Sequence, residues 1–295
     1  MKRALVLGSV ILAGLLAIAV TAQQGTRPSF PPLGAPEKVA ENVYRIPGAG
    51  GNSALFIRPE GVLLVDTKLA NNGPGLLEQI RKVTDKPLTH IINTHTHGDH
   101  TGSNGFFGAT VDIVAQENTK TNMQKMPDFK SGVGLPHVTF KDHLTLFSGK
   151  QAVDLYYFGA AHTNGDAFVV FRSARVMHAG DVFATKGLPI IDTGNGGSGV
   201  AYPETIARAA AGIKNVDRVI TGHSDVMSWQ DFVDYGEFNR DYLEHARAAR
   251  AAGQTPEQAA ASFKPKDKFK NYTLSSAFSG PDRNMAGIYA ELGGK

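Results

Sequence analysis

Residues 94–104 read Thr-His-Thr-His-Gly-Asp-His-Thr-Gly-Ser-Asn and follow an apolar, strand-like run. On an extended backbone, side chains two residues apart point to the same side, so His95 and His97 can bind one cation. A turn after the glycine can bring Asp99 and His100 toward a second cation. Imidazole and carboxylate ligands suit zinc, with iron or manganese as alternatives. The stretch therefore predicts a metal centre where a strand ends.

Three further polar side chains stand just beyond predicted strands. They are His162 after the run 153–158, Asp181 after 176–178 and His223 after 216–220. In layered α/β folds, ligands gather where loops leave the strand ends, so all four loops can meet at one edge. Seven ligands suit two metal ions that share a bridging carboxylate and leave positions open for water. The sequence offers no thiolate ligand, because it contains no cysteine.

The remaining pattern indicates an α/β fold with mixed sheets. From residue 42 onward, short apolar runs broken by glycine predict strands. Helical spacing of apolar residues predicts helices over 75–83, from Pro203 to about 213 and over 231–252. A capping pattern at 255–258 predicts the start of another helix.

The two ends of the chain differ from this pattern. Residues 1–22 resemble an export signal with a basic start and an apolar stretch, which predicts a periplasmic or secreted protein; a retained anchor is the alternative. Residues 23–36 form a proline-rich linker and 37–263 the folded domain. The tail 264–295 is polar, and we expect it to be irregular.

The charge balance argues against nucleic acid as a partner. Removing Lys2 and Arg3 of the export signal from the 30 basic side chains leaves 28, which are nearly matched by the 27 acidic ones. A nucleic-acid-binding protein needs a basic stripe. We expect a small-molecule substrate and, after cleavage of the signal, no membrane contact; the sequence makes no prediction of the oligomeric state.

The order and spacing of these residues resemble the metallo-β-lactamase superfamily, from about residue 41 to residue 224. The resemblance implies a four-layer αβ/βα sandwich with two mixed sheets, helices on the outer faces and two zinc ions at its edge. It assigns His95, His97 and His162 to one ion, and Asp99, His100 and His223 to the other, with Asp181 bridging. Asp99 would also orient the attacking water, and Asp66 would support the metal loops from behind.

The segment 159–183 is most similar to the β-lactamases of this superfamily that carry cysteine at the Asp181 position. Aspartate at that position is typical of its glyoxalase II, lactonase and phosphodiesterase branches. Lys186 and Asn195 lie near where the β-lactamases hold a substrate carboxylate and carbonyl. The resemblance therefore implies an exported hydrolase of a cyclic amide or ester, first a β-lactam. A lactonase, thioesterase or other esterase is the runner-up; an iron-dependent redox enzyme and a non-catalytic binding protein are further alternatives.

Overall fold

The computed structural model describes residues 30–275 and 278–293, apart from the side chain of Ala109. The predicted export signal 1–22 and the first half of the linker, 23–29, lie outside the described residues. The described part of the linker, 30–36, contains no helix or strand, as its prolines predict. Within the described ranges, no helix has the length and apolar character needed to cross a bilayer.

Two mixed sheets form the centre of the fold. The first has the order β1-β2-β3-β4-β5-β6-β7 and the second β13-β12-β11-β10-β9-β8. The strands are β1 (Glu37–Ala40), β2 (Val43–Ile46), β3 (Ser53–Arg58), β4 (Gly61–Val65), β5 (Leu88–Ile92), β6 (Asp112–Gln116), β7 (Val138–Phe140), β8 (His143–Leu146), β9 (Val153–Tyr156), β10 (Phe168–Phe171), β11 (Val176–His178), β12 (Arg218–Ile220) and β13 (Met227–Ser228). Pairing is parallel from β4 to β7 and between β11 and β12, and antiparallel elsewhere.

Helices cover the outer faces of both sheets. The helices of the described residues are α1 (Gly73–Arg81), α2 (Gly98–Thr101), α3 (Glu117–Met123), α4 (Tyr202–Gly212), α5 (Trp229–Ala251), α6 (Pro256–Ser262) and α7 (Pro281–Gly293). Leu76 and Ile80 of α1 pack against the first sheet, and α4 to α7 pack against the second. A third apolar cluster fills the space between the sheets, with Phe56 and Phe171 in contact across it. The predicted four-layer α/β sandwich is confirmed.

Local sequence explains these elements. All five residues of β4 are buried, which suits an apolar strand inside a partly parallel sheet. Ser228 and Thr255 each form a capping box at the start of α5 and α6, as the pattern at 255–258 predicts. The capping groups satisfy backbone N–H groups that the first helical turn leaves without partners.

The expectation of an irregular C-terminal tail was wrong for residues 281–293. This segment is helix α7, with Met285 and Ile288 buried against the helical layer of the second sheet. Pro281 stands in its first turn, where the missing N–H costs nothing, and apolar side chains follow at helical spacing. Packing of its apolar side chains against the helical layer of the second sheet stabilises the helix. In the sequence, the surrounding polar residues make this apolar pattern hard to detect.

Candidate metal centre

The structure brings together all seven side chains that the sequence singles out. They form two adjacent groups, His95, His97, His162 and Asp181 in one, and Asp99, His100 and His223 in the other. Within each group, the nitrogen and oxygen atoms that could bind a cation lie within 4.8 Å of one another. The two groups touch, because Asp181 Oδ1 lies 3.3 Å from His100 Nε2.

Strand ends position these groups. His95 and His97 lie in the loop that follows β5, and the short helix α2 directly after it carries Asp99 and His100. The other three follow strands of the second sheet: His162 comes after β9, Asp181 lies in a 3₁₀ turn after β11, and His223 comes after β12. The two sheets thus meet at one edge, and each contributes part of the centre.

Hydrogen bonds fix which ring nitrogen of each histidine faces the centre. His162 Nδ1 lies 2.7 Å from the carbonyl oxygen of Ile190, which can only accept, so Nδ1 carries the proton. His95 Nδ1 lies 3.0 Å from Thr94 Oγ1, whose own proton goes to Asp66. Both rings therefore present the lone pair of Nε2 to the centre.

In two other histidines, a carboxylate determines which ring nitrogen faces the centre. His97 Nε2 lies 2.7 Å from Asp192 Oδ2, and His100 Nδ1 lies 2.6 Å from Asp66 Oδ2. Each carboxylate accepts the ring proton, so His97 presents Nδ1 and His100 presents Nε2 to the centre. Carboxylates in this position orient metal-binding imidazoles and raise their basicity.

Two buried atoms at the centre of the cluster, His95 Nε2 and Asp181 Oδ1, make no well-aligned hydrogen bond within the described residues, although Asp181 Oδ1 lies 3.3 Å from His100 Nε2. A buried polar atom without a partner costs about 1–3 kcal/mol, so such atoms call for an explanation. The free lone pairs converge beside this carboxylate, and nitrogen and oxygen ligands are those that zinc prefers. The residues present thus fit a pair of divalent cations.

The pKa values describe the same site from the electrostatic side. Burial, with the charge of His97, lowers the pKa of His162 to about 4, which keeps this ring neutral. Burial would also lower the pKa of His100, but Asp181 and Asp99 outweigh it and raise that pKa well above its usual value. Without cations, the carboxylates hold protons on this ring. A cation that binds there has to displace them.

Glycines make room for the cluster. A Cβ at position 222 would lie 1.9 Å from Asp181 Oδ1, and a Cβ at position 51 would lie 2.1 Å from the ring of His100. Real Cβ atoms do not approach other atoms so closely. Gly222 and Gly51 are therefore required for the backbone to pass this close to the candidate ligands.

Asp66 lies behind the centre, as the sequence predicts. Its side chain is fully buried and accepts hydrogen bonds from the backbone N–H and the hydroxyl of Thr94, at 2.8 and 2.7 Å. Together with the contact to His100, these bonds connect β4, which it follows, to the histidine loop. The carboxylate thus supports the loop and orients one of its rings.

A buried lysine lies close to this support. Lys68 is fully buried, and its Nζ donates to the carbonyl oxygens of Ile46 and Gly51. Burial lowers the pKa of Lys68 to about 7, opposed by the attraction of Asp66. The lysine holds the backbone that passes behind His100.

This low pKa predicts a pH-dependent stability. Between pH 7 and about 10.4 the unfolded chain binds the lysine proton more tightly than the folded chain, so stability rises with pH in this window. From pH 7 to about pH 9, Lys68 should add on the order of 2–3 kcal/mol to the free energy of unfolding. Urea unfolding of the metal-free protein across this range measures the slope. In Lys68→Met the slope should flatten, whereas the exposed-site control Lys82→Met should keep it; equal slopes would contradict the assignment.

The structure places Lys186 outside the centre. Its Nζ forms an ion pair of 2.5 Å with Asp231 of α5 and does not line the cavity beside the candidate ligands. Asn195 lies closer, but its side chain donates to Asp192 Oδ2 at 2.6 Å. Asn195 therefore stabilises the carboxylate that holds His97. That these two side chains face a substrate stays a prediction; in this structure they contact Asp231 and Asp192.

Sequence reasoning missed several residues at this site. Asp192 precedes the glycine-rich loop, and the Ile-Ile-Asp run before that loop was its available signal. A cavity of about 300 Å³ opens beside the centre and is also lined by Ile190, Ile191, Phe278 and Arg283. Arg283 belongs to α7, in the segment expected to be an irregular tail.

Aromatic rings form the wall next to His223. Phe30 and Phe278 stack on this imidazole, with ring centroids 5.8 and 6.0 Å away. A second cavity of about 540 Å³ is lined by the same two phenylalanines, by His223 and by Pro31 and Pro32 of the linker. The two cavities thus share His223 and Phe278 in their lining.

Comparison with known sequences places this geometry in context. Residues 46–223 match the family profile described as "Metallo-beta-lactamase superfamily". The uncharacterized protein YobT of Bacillus subtilis is 28% identical over 148 residues, which cover 46% of this chain and 63% of YobT. The metallo-beta-lactamase type 2 of Bacteroides fragilis is 24% identical over 178 residues, which cover 59% of this chain and 69% of that protein.

A solved structure shares the fold over a longer stretch. The stereoselective inverting sec-alkylsulfatase Pisa1 from Pseudomonas sp. aligns with a TM-score of 0.74 and 14% identity, over 88% of this chain and 50% of the sulfatase. The chain thus spans half the length of this structural relative and less than two thirds of YobT. At this identity the likeness concerns the fold alone.

Proposed function

The chain belongs to the metallo-β-lactamase superfamily, and from this premise we propose that it is a dinuclear zinc hydrolase that opens a cyclic amide or ester, first a β-lactam. The observation that carries the proposal is that the candidate ligand atoms converge on one place, where the buried atoms His95 Nε2 and Asp181 Oδ1 make no well-aligned hydrogen bond. A non-catalytic binding protein would have little need of such a site beside an open cavity.

The ligand assignment follows the two groups of side chains. We assign His95, His97 and His162 to one cation, and Asp99, His100 and His223 to the other, with Asp181 shared. When bound, the two cations supply Lewis acidity that lowers the pKa of a water molecule toward 7 and polarises the carbonyl group of the substrate. Neutral imidazoles and carboxylates favour zinc, and iron or manganese would accept the same ligands.

The surrounding side chains supply the remaining chemistry. Asp99 lines the cavity, and its Oδ2 lies 3.4 Å from His223 Nε2, so it is placed to orient the attacking water and accept its proton. Ile190 and Ile191 form an apolar wall that excludes bulk water from one side of the cavity. No side-chain nucleophile is needed, in agreement with the absence of cysteine from the sequence.

The choice of substrate rests on the sequence relatives and on one residue. Similarity to the Bacteroides fragilis metallo-beta-lactamase supports a β-lactam. Asp181 at the shared position favours a lactone, thioester or other ester, which is the second candidate. We also propose that the enzyme acts in the periplasm or outside the cell, on the grounds of the export-like residues 1–22.

Chelator-sensitive hydrolysis tests the proposal. Zinc-loaded protein should hydrolyse a chromogenic cephalosporin, lose this activity with a chelator and regain it when zinc is added back. Turnover of a lactone or thioester in place of the cephalosporin would select the second candidate. A folded protein with two equivalents of zinc that hydrolyses no lactam, lactone, thioester or ester would refute hydrolysis as its function.

A further inference from the structure

Among the described residues that line the cavity beside the metal centre, Arg283 is the one arginine or lysine. The candidate ligands line it together with Ile190, Ile191, Phe278 and the exposed Arg283. Arg283 belongs to the first turn of α7, outside the residues that match the family profile. It is therefore a feature of this chain beyond the common core of the superfamily.

The charge of Arg283 is available to a ligand. Its side chain is exposed, and in residues 30–275 and 278–293 no carboxylate forms an ion pair with it. Other cations near the site are neutralised: Lys186 pairs with Asp231, and Arg45 pairs with Glu37 and Asp225.

The negative charges in the cavity already have partners within the site. Asp192 Oδ2 lies 2.7 Å from the ring of His97, and Asp99 and Asp181 belong to the two candidate ligand groups. These carboxylates therefore do not require an ion pair with Arg283. A guanidinium without an ion-pair partner in the lining of this cavity is suited to an organic anion from solution, because its planar N–H fork matches carboxylate, sulfate and phosphate oxygens.

We propose that Arg283 selects organic anions as substrates, by binding a carboxylate, sulfate or phosphate group of the substrate while the bond to be broken lies over the metal centre. Only the position of the bond over the metal centre rests on the proposed hydrolase function. The binding of the anionic group by Arg283 does not depend on it. The apolar part of the substrate would pack against Ile190, Ile191 and Phe278. Arg283 would act on substrate binding and not on the chemical step, because it is not one of the candidate metal ligands.

A matched pair of esters tests the kinetic consequence. The neutral substrate is 4-nitrophenyl hexanoate, and the anionic one is mono-4-nitrophenyl adipate, which has the same chain length and a terminal carboxylate. In Arg283→Met, KM for the adipate ester should rise on the order of 10- to 100-fold, the usual loss for a charge-assisted hydrogen bond. Its kcat, and both constants for the hexanoate ester, should stay within about 2-fold. The control Arg240→Met, which changes an exposed arginine of α5, should alter neither ester.

A binding experiment separates this inference from the proposed hydrolysis. Calorimetry compares the affinity of the zinc-loaded protein for benzenesulfonate with that for methyl phenyl sulfone, a neutral molecule of similar shape. Wild type should prefer the sulfonate, and Arg283→Met should lose that preference even if neither ester is hydrolysed. Equal affinity of wild type for both probes, or an unchanged preference in Arg283→Met, would overturn the proposal. To identify the natural anionic group, phenyl phosphate and benzoate are compared in the same way.

Discussion

Replacing Asp181 by asparagine should abolish metal-dependent hydrolysis and leave the chain folded. The carboxylate lies between the two groups of candidate ligands, 3.1 Å from His223 Nε2 and 3.7 Å from His162 Nε2. Both cation positions would lose their shared anionic ligand. A Lewis acid contributes several kcal/mol to such a reaction and each 1.36 kcal/mol is tenfold in rate, so we expect a loss on the order of 10³-fold or more.

The fold should survive, because the substitution keeps the size of the side chain and removes a buried charge. Zinc content, circular dichroism and hydrolysis rate are measured on the same preparation. Asp85→Asn is the control, since Asp85 is exposed in the loop at the opposite end of β5. Two equivalents of zinc with an unchanged rate in Asp181→Asn would show that the carboxylate is not a shared ligand.

The second large effect is expected from Asp66→Asn. Its Oδ2 accepts the Nδ1 proton of His100, whereas an asparagine NH₂ group in the same place donates a proton to that nitrogen. The ring must then carry its own proton on Nε2, the atom that faces the cation. We expect the affinity of this cation position to fall about 10- to 100-fold, the usual cost of changing a partner of a metal-bound histidine.

Zinc titration against a competing chelator should show one binding step weakened and the other little changed. NMR of the imidazole nitrogens should report the exchange of tautomer at His100 without any need for turnover. Asp154→Asn is a matched control, because Asp154 is also buried but pairs with Arg172 in the second sheet. The control should lose stability and keep both zinc steps; equal zinc affinities in all three proteins would contradict the role given to Asp66.

The candidate ligands could be predicted from sequence because each stands directly after an apolar run. His95 and His97 share a side by the period of a strand, and Asp181 and His223 follow two strands that pair in parallel and so end at the same edge. Asp66 was predictable for the same reason, as the residue that ends β4. Local sequence patterns were therefore sufficient to predict which residues form the cluster.

The surroundings of the cluster depend on contacts between distant segments. Lys186 has the charge expected of a substrate-binding residue, but Asp231 of α5 is within reach and neutralises it. Arg283 acquires its place at the cavity only because α7 folds back onto the second sheet through Met285 and Ile288. The apolar spacing of α7 was a usable signal for the helix, but not for the direction in which it docks.

The division of the candidate ligands between the two sheets has a further consequence. Loops of the first sheet carry His95, His97, Asp99 and His100, and loops of the second carry the other three, far along the chain. Bound cations would therefore link the two sheets, since neither sheet can unfold without releasing them. Because the dispersed ligands converge only in the folded chain, each tenfold rise in free zinc above the dissociation constant of a cation position adds about 1.4 kcal/mol per bound cation to the free energy of unfolding. The stability of the folded protein would then depend on the free zinc concentration around it. A chelator would both stop the reaction and lower the free energy of unfolding.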